Sequence, residues 1–383
     1  MSPRATRLTL GVAAPLLALL AAFAITSLVL LVAGDPVGQV WSIILAVPET
    51  RNVANIVNSA TVLYLSGLAV AVGFRMNLFN IGVDGQYRVA AFVAAVVAGE
   101  GWLPGPLNIV LTVAAAVLVG AAWAGIAGVL RATRGVSEVI STIMLNFIST
   151  SLVAYFLRRV AVREEGSNIV ATRTVPEGSR IPGIPLGSGP GAEVYGFVVV
   201  AVLAGVGYWL LVNRTRFGFD LRATGMSPSA ATASGVDARR MVVKAMLISG
   251  AIAGLVGLPD LLGDTYHFGT EFTAGLGFLG IAVALLGRGS PTGIAFAALL
   301  FAFLDRAAVP LQFADIPASV VTIIQGTIVL SVVVANELTR QLTRRRAERG
   351  SGQADPAADD GTSAGPGGPI GTRITDDRQG AQS

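Results

Sequence analysis

The stretch "NLFNIGVDGQY", residues 77–87, lies between two strongly apolar segments and decides how the chain is interpreted. It contains two Asn, two Gly, one Asp and one Gln. Gly82 and Gly85, together with Asn77 and Asn80, would interrupt a regular helix. Composition alone leaves two interpretations open. The stretch is either a broken membrane helix of the kind that builds transporter binding sites, or an ordinary cytoplasmic loop leading into the next span.

The composition of the 383 residues indicates a membrane protein. Hydrophobic residues make up 53% of the chain and charged residues only 13%, whereas a soluble domain carries about 25% charged residues. The chain has no Cys and one His, His267. Disulfides and the usual Cys- and His-based metal and acid–base sites are therefore excluded, and we expect no metal site.

Ten apolar runs approach or exceed the length of about 20 residues that a helix needs to cross a hydrocarbon core. The chain is therefore predicted to be an all-α integral membrane protein. The first run is longer than the apolar core of a signal peptide, which has roughly 7–15 residues, so we expect an uncleaved span. The predicted spans are Leu8–Gly34, Ala54–Gly73, Ile81–Gly99, Pro106–Leu130, Val136–Leu157, Val194–Val212, Met241–Leu262, Phe272–Gly287, Pro291–Val309 and Ile316–Asn336.

The placement of arginines predicts that both termini are cytoplasmic. Arg is concentrated in the segment Asn213–Arg240 and after the last span, as the positive-inside rule requires of cytoplasmic segments. The long segment Arg158–Glu193 then lies outside, with five spans before it and five after it. Because five is odd, the two halves would cross the membrane in opposite senses, which is the arrangement of a 5+5 inverted repeat.

Composition also divides the chain into three parts. Residues 1–53 hold the first span and an outer loop, residues 54–337 form the membrane domain, and residues 338–383 form a basic and then disordered cytoplasmic tail. Residues 350–383 are mostly Gly, Asp, Ser, Pro and Ala, and bury too little apolar surface to offset the entropy of ordering.

Polar residues recur at helical spacing in the predicted fifth span. Such a stripe faces other helices or a water-filled path, because uncompensated polar groups in hydrocarbon are unfavourable. For Ser and Thr, interhelical hydrogen bonding is the favoured interpretation. For Glu138 and Asn146, packing and a role in the pathway are equally favoured. The stripe consists of Glu138, Ser141, Thr142, Asn146 and Ser149.

The segment Asn213–Arg240 contains a predicted short helix, "SPSAATASG", residues 227–235. Ser227 would be its N-cap, Pro228 its first residue and Gly235 its C-terminal cap. A face of small residues suits insertion into a groove of another protein, and a purely structural helix is the alternative. The predicted exposed face consists of Ala230, Ala231, Ala233 and Ser234.

Five motifs, taken in order, resemble the permease subunits of ABC importers. They fit the branch for nucleosides and simple sugars, which is related to the branched-chain amino acid permeases. The resemblance covers roughly residues 50–335. The motifs are "FNIGVDGQ" (79–86), "GVSEVISTIMLNFI" (135–148), "TRFGFDLRATGMSPSAATASGVDARR" (215–240), "MLISGAIAGLVG" (246–257) and "GFLGIAVALLGRGSPTG" (277–293).

The resemblance implies a multi-pass permease in the cytoplasmic membrane that imports a small polar solute. We expect four partners: a cytoplasmic ABC ATPase, a second permease that is related but not identical, an extracytoplasmic solute-binding protein and the lipid bilayer. No nucleic-acid partner is expected. No G-x-x-x-x-G-K-[ST] loop occurs in the chain, so the chain is expected to be no enzyme, to bind no cofactor and to leave ATP hydrolysis to its partner. Nucleosides lead as the solute, with simple sugars or branched-chain amino acids as alternatives.

The resemblance also implies roles for residues already noted. Asp84 stands where relatives commonly carry Glu. The residues expected in the substrate pathway are Asn77, Asn80, Asp84, Gln86, Glu138 and Asn146. The residues expected to couple the permease to the ATPase are Ser227, Pro228, Ala230, Ala231, Ala233, Gly235 and Arg239.

Two other classes of function are less favoured. An ion-coupled carrier suits ten spans, but such carriers usually place several ionisable groups near the membrane midplane, and this chain offers few. An intramembrane enzyme would need a catalytic pair or a metal cluster, and the carboxylates of this chain are scattered along it.

Overall fold

The computed structural model describes residues 20–162, 170–187 and 191–351, and its description of side chains leaves out residues 336–340 and 342–351. Part of the predicted first span and nearly all of the predicted disordered tail lie outside the described residues. Contacts within the chain divide it into two units, Met1–Asn336 and Glu337–Ser383.

Helices account for most of the described residues. Short strands β1 (Ile184–Pro185) and β2 (Glu193–Val194) pair as an antiparallel hairpin, and Glu177–Ser179 form a 3₁₀ turn. The helices are α1 (Leu20–Ala33), α2 (Val37–Ile44), α3 (Thr50–Phe74), α4 (Val83–Glu100), α5 (Gly105–Arg134), α6 (Glu138–Val160), α7 (Val198–Arg214), α8 (Arg216–Met226), α9 (Pro228–Ala233), α10 (Ala238–Ala253), α11 (Leu258–Gly263), α12 (Leu276–Leu286), α13 (Pro291–Asp305), α14 (Ala308–Phe313) and α15 (Ser319–Ser351).

The central helix is α3, around which α7, α10, α12 and α13 pack. Every residue from Leu65 to Gly73 is buried, so this half of the helix is enclosed on all sides. Its small residues permit close approach of its neighbours. A Cβ atom added to Gly67 would lie 2.7 Å from Cγ2 of Ile294 in α13.

Five helical segments among the described residues are long and apolar enough to cross a membrane, which is fewer than the ten predicted spans. A sixth is added if α7 and α8, which are bent by 69° relative to each other, count as one span. The five segments are Thr50–Phe74, Gly105–Arg134, Glu138–Val160, Ala238–Gly263 and Pro291–Phe313.

The remaining predicted spans are too short or too polar to cross a membrane as single apolar helices, for identifiable reasons. Helix α4 contains three ionisable residues, Asp84, Arg88 and Glu100. Helix α12 has 11 residues and extends only about 16 Å at 1.5 Å per residue. The described apolar parts of the first and last predicted spans, Leu20–Ala33 and Ser319–Ala335, are also short. Ten full-length spans and the 5+5 repeat are therefore not confirmed.

The two ends of α3 contact different parts of the chain. Near its first residues, Nδ2 of Asn58 donates to the carbonyl of Glu193 at 3.0 Å, and its Oδ1 accepts from the backbone N–H of Tyr195 at 2.8 Å. Just beyond its last turn, Nδ2 of Asn77 donates to the carbonyl of Gly225 at 2.7 Å. These contacts are roughly 25 Å apart along the helix axis, close to the thickness of a hydrocarbon core of about 30 Å. Strand β2 and helix α8 therefore lie at opposite ends of the membrane helices.

The described residues of the predicted outer segment Arg158–Glu193 contain β1 and the start of β2, so the fold is not purely helical. The backbone of this segment pairs with the loop after α11: the N–H of Thr172 donates to the carbonyl of Phe268, and the N–H of Val175 to that of Tyr266. The adjoining Tyr195 is partly enclosed there, and its burial, followed by the charge of Asp264, raises its pKa above the ordinary value.

Single cysteines test this arrangement, because the natural chain has none. Thr232→Cys in α9 and Leu186→Cys beside β1 are both exposed, so a membrane-impermeant thiol reagent is expected to modify them from opposite sides of intact membranes. Thr232→Cys is expected to react from the cytoplasmic side. The unaltered chain is the unlabelled control. Labelling of both cysteines from one side would contradict the arrangement.

Candidate functional site

The stretch 77–87 contains the non-helical connection between α3 and α4, called the break below, and residues 82–87 of it are buried against other helices. Helix α3 closes with the N–H groups of Asn77 and Leu78 donating to the carbonyls of Phe74 and Gly73. Asn77 has φ of 55°, in the left-handed region that Asn tolerates better than most residues. Helix α4 begins at Val83, and the chain between the two helices has no regular structure.

Two hydrogen bonds join the side chains of Asn80 and Gln86 across the break. Nδ2 of Asn80 donates to Oε1 of Gln86 at 3.0 Å, and Nε2 of Gln86 donates to Oδ1 of Asn80 at 2.8 Å. Nδ2 of Asn80 also donates to Oγ of Ser249 in α10, whose hydroxyl donates to the carbonyl of Ala69 in α3. Oδ1 of Asn80 accepts from the N–H of Gly82. Both amides are buried, and together they tie the break to α3, α4 and α10.

Asn146 in α6 satisfies two backbone groups that the break leaves free. Its Oδ1 accepts from the N–H of Gly85 at 2.9 Å, and its Nδ2 donates to the carbonyl of Ile81 at 3.0 Å. Gly85 permits this approach, because a Cβ there would lie 2.7 Å from Oγ of Ser149 and 3.0 Å from Cα of Asn146. The polar stripe of α6 therefore faces the break and the first turn of α4.

Asp84 joins the first turn of α4 to the first turn of α12. Its Oδ1 accepts from the N–H groups of Gly275 at 2.8 Å and Gly277 at 3.3 Å. The first N–H groups of a helix lack partners within the helix and carry partial positive charge. The Asp84 carboxylate is buried, so it complements the N-terminal ends of two helices in a region of low dielectric constant.

Two of the predicted pathway residues lie apart from this cluster. Asn77 is exposed and contacts Gly225. Glu138, at the start of α6, pairs with Nε of Arg131 at 3.3 Å and lies 3.5 Å from the backbone nitrogen of Phe79. The structure thus brings together Asn80, Asp84, Gln86 and Asn146, with Asn77 and Glu138 nearer the α8 end of the molecule.

The predicted coupling helix is present as α9, with the predicted caps. The backbone N–H of Ala230 donates to Oγ of Ser227 at 3.3 Å, and Pro228 is the first helical residue. Gly235 has φ of +86°. The N–H of Gly235 donates to the carbonyl of Thr232, and that of Val236 to the carbonyl of Ala231, which is the Schellman pattern of helix ends.

The predicted exposed face of α9 is wrong for one residue. Ala231 is only 3% exposed, because one side of α9 packs against α8 and α10. Ala230, Ala233 and Ser234 are exposed as expected, and Arg239, in the first turn of α10, is exposed beside them. Ala231 is therefore a packing residue of this segment.

Direct contact between residues 75–77 and α8 is a feature that the sequence did not reveal. Helix α8 ends against the break, where a Cβ on Gly225 would lie 2.5 Å from the carbonyl oxygen of Arg75 and 2.9 Å from Cα of Met76. Asn77 adds its hydrogen bond to Gly225, and Arg75 donates to the carbonyl of Gly289 at 2.8 Å. No spacing or motif in the sequence signals that residues 75–77 and 225 are neighbours.

A family model, described as the permease component of branched-chain amino acid transport systems, matches residues 52–333. The chain belongs to this permease family. The expectation from the five motifs is thereby confirmed, and this multi-pass membrane permease is a transport subunit of the ABC type.

Curated relatives of the permease include two proteins named for nucleosides and one named for glucose. Guanosine ABC transporter permease protein NupP of Bacillus subtilis is 35% identical over 83% of this chain and 92% of its own. Glucose ABC transporter permease protein TsgB13 of Haloferax volcanii is 32% identical over 85% and 88%. Nucleoside ABC transporter permease protein NupB of Lactococcus lactis is 30% identical over 85% and 92%.

A solved structure also aligns with the permease, over 84% of this chain and 98% of the other. It is described as an inward-facing conformation of a metal-chelate type ABC transporter. The identity is 16% and the TM-score 0.41, which is too low to establish a shared topology.

The contact between Asp84 and α12 predicts the effect of one added methyl group. In Gly277→Ala the new Cβ would lie 2.7 Å from Cα of Asp84, so the helix ends must separate, at about 1–3 kcal/mol. The thermal unfolding midpoint of the purified permease is therefore expected to fall. Gly326→Ala is the matched control, because it is a helical glycine with nothing within 4 Å of the added Cβ. Equal midpoints for both variants would contradict close packing at Asp84.

Proposed function

We propose that this permease imports nucleosides across the cytoplasmic membrane, driven by ATP hydrolysis on a partner ABC ATPase that docks on α9. The observation that carries the proposal is the capped helix α9, set at the end of α8 where α8 touches the helix break. A transport subunit without an ATPase site needs such a rigid handle, because the movement of its helices must come from another protein.

The exposed surface of α9 suits a groove in the ATPase. Ala230, Ala233 and Ser234 present small side chains, which permit close backbone approach. A helix this short is marginal alone, and the caps at Ser227 and Gly235 stabilise it in advance of docking. In the proposal the exposed Arg239 borders the docking surface.

Movement of α9 reaches the membrane helices through the break. Helix α9 follows α8 directly, and Gly225 of α8 contacts residues 75–77. From there the chain runs to Asn80 and Asp84, which are bonded to α10 and α12. We propose that Asn80, Asp84, Gln86 and Asn146 shape the solute pathway by positioning these helices, while Asn77 and Glu138 serve the cytoplasmic end.

The remaining parts of the proposal concern orientation and partners. Both termini and α9 are cytoplasmic, so the ordered segment 170–187 faces the extracytoplasmic solute-binding protein. A related second permease completes the pathway, and this chain binds no cofactor. The relatives named for guanosine and nucleosides support the choice of solute, and the relative named for glucose keeps simple sugars as the second candidate.

Helix packing supports the 5+5 repeat within the proposal. In a 5+5 repeat, the second predicted span (α3) is equivalent to the seventh (α10), and the fourth (α5) to the ninth (α13). The contact between α3 and α13 should then have an equivalent between α10 and α5. Both pairs pack closely: a Cβ on Gly67 in α3 would meet Ile294 in α13, and α5 approaches α10 through Gly120 and Gly250. The equivalent contacts are what a repeat of opposite orientation produces.

Reconstitution of the complete transporter in proteoliposomes tests the function. Nucleoside uptake is expected to require ATP and the solute-loaded binding protein. Excess unlabelled nucleoside should compete with it more strongly than glucose does. Uptake driven by an ion gradient without ATP would contradict the proposal and favour a secondary carrier.

Substitutions on α9 test the docking surface in the same assay. Ala233→Trp places a bulky ring on the exposed face, so the ATPase is expected to dissociate from the purified permease and uptake to fall at least tenfold. Membrane insertion should be unaffected, because the side chain points away from the body of the permease. Ala233→Ser keeps the small side chain and is the matched control. Normal ATPase association of Ala233→Trp would show that α9 does not dock the ATPase.

A further inference from the structure

A cationic side chain, Arg88, lies in the second turn of α4, well away from the outer end of this helix. The outer end of this helix is marked by Glu100, which pairs with Arg173 of the outer segment at 3.1 Å. Arg88 precedes Glu100 by twelve residues, or about 18 Å along the helix. In a hydrocarbon core of about 30 Å, this places Arg88 near the middle of the membrane. A charge at this depth is unfavourable and is a candidate functional group by default.

The hydrogen bonds of Arg88 leave most of its donors unused among the described residues. Its Nη1 donates to Oγ1 of Thr150 in α6 at 3.3 Å, and its Nε is buried without a hydrogen-bond partner. Asp84, one turn earlier, is engaged by Gly275 and Gly277. The ion pairs in the described part of the chain do not include one between Asp84 and Arg88. A guanidinium group has five N–H donors, so Arg88 retains the capacity to bind acceptors.

Arg88 opens onto a cavity between α4, α6 and the outer loops. The cavity has a volume of about 690 Å³, within the range of roughly 300–1,000 Å³ typical of small-molecule sites. The half-buried Arg88 and the exposed Thr150 line the end of the cavity nearer the membrane midplane. Arg158, Phe268 and Thr270 lie at its other end, toward the outer segment. Thr150 and Arg158 are separated by about 12 Å along α6, so the cavity leads from the outer loops toward the membrane midplane.

We propose that Arg88 and Thr150 form a solute-binding subsite that receives a nucleoside-sized polar molecule from the extracytoplasmic side. The planar guanidinium donates to hydroxyl or base-carbonyl oxygens of the solute, and the threonine hydroxyl assists at the same depth. The subsite rests on the proposed import function and adds the residue that holds the solute. The same chemistry suits the hydroxyls of a simple sugar.

A purely structural role for Arg88 makes a different prediction. If its only function were the hydrogen bond from Nη1 to Thr150 at 3.3 Å, loss of this single bond would leave transport nearly unchanged. Arg88→Gln removes the charge and this bond while keeping a shorter polar side chain. Arg88→Lys retains the charge but not the planar fork.

The first experiment compares these variants in the complete transporter at saturating solute-loaded binding protein. The maximal uptake rate is expected to fall about tenfold or more for Arg88→Gln, the effect of losing hydrogen bonds to a charged group, and less for Arg88→Lys. ATPase association and the thermal midpoint should not change. Arg159→Gln is the matched control, because Arg159 packs over the Tyr155 ring on the exposed side of α6.

Uptake by the unaltered transporter distinguishes failure of the Arg88 subsite from failure of the import function. If it takes up nucleoside with ATP and Arg88→Gln does so within twofold of its rate, the subsite is wrong and the import function stands. If the unaltered transporter shows no ATP-driven uptake, the import function is contradicted, and the subsite with it.

A second experiment decides the matter should Arg88→Gln lower the thermal midpoint. Ala154 and Tyr155 are both exposed on α6, and of the two only Ala154 lines the cavity. In the Cys-free chain, Ala154→Cys is expected to react with an impermeant thiol reagent from the extracytoplasmic side and thereby to lose uptake. Tyr155→Cys, at the same depth, should stay unmodified. Unreactive Ala154→Cys, or full uptake after its modification, would overturn the subsite.

Discussion

The non-helical connection between α3 and α4 leaves backbone N–H and C=O groups without helical partners, and those that are buried must find partners within the protein. In this permease the partners are side chains of neighbouring helices. Asn146 accepts a hydrogen bond from the N–H of Gly85 and donates one to the carbonyl of Ile81. Asp84 accepts from the N–H groups of Gly275 and Gly277 at the start of α12. Without these bonds α4 and α12 would have no stable ends at this depth, and the helices that pack on α3 would lose their mutual positions.

In the proposed mechanism the same bonds give the break a mechanical role. On one side it is tied to α6, α10 and α12, and on the other it touches α8 at Gly225. Helix α9, which follows α8, is the proposed docking site of the ATPase. A displacement of α9 is therefore passed to a segment whose bonds fix the ends of two short helices, rather than to the side of a long continuous helix. The proposed subsite at Arg88 lies one turn beyond Asp84, within reach of such a displacement.

Much of this arrangement follows from local sequence signals. The caps of α9 at Ser227 and Gly235 were predicted correctly because capping depends on residues close in sequence. Both interpretations of residues 77–87 stayed open, because Gly and Asn weaken helices locally but composition does not reveal what packs around the connection. The number of spans was not predictable in the same way, since hydropathy does not reveal where a helix of three ionisable residues or of 11 residues is held by its neighbours. The burial of Ala231 and the contact of Gly225 with residues 75–77 depend on tertiary packing, which leaves no periodic pattern in the sequence.

In the proposed mechanism, α8 transmits the movement of α9 to the break through Gly225. The most direct test is the number of ATP molecules hydrolysed per solute imported by the reconstituted transporter. In Gly225→Ala the added Cβ would lie 2.5 Å from the Arg75 carbonyl oxygen and force α8 away from the break. In Gly207→Ala, also a helical glycine, the added Cβ has nothing within 4 Å. We expect Gly225→Ala still to bind the ATPase but to hydrolyse several times more ATP per solute, while Gly207→Ala keeps the natural ratio. The natural ratio in both variants would contradict transmission through Gly225.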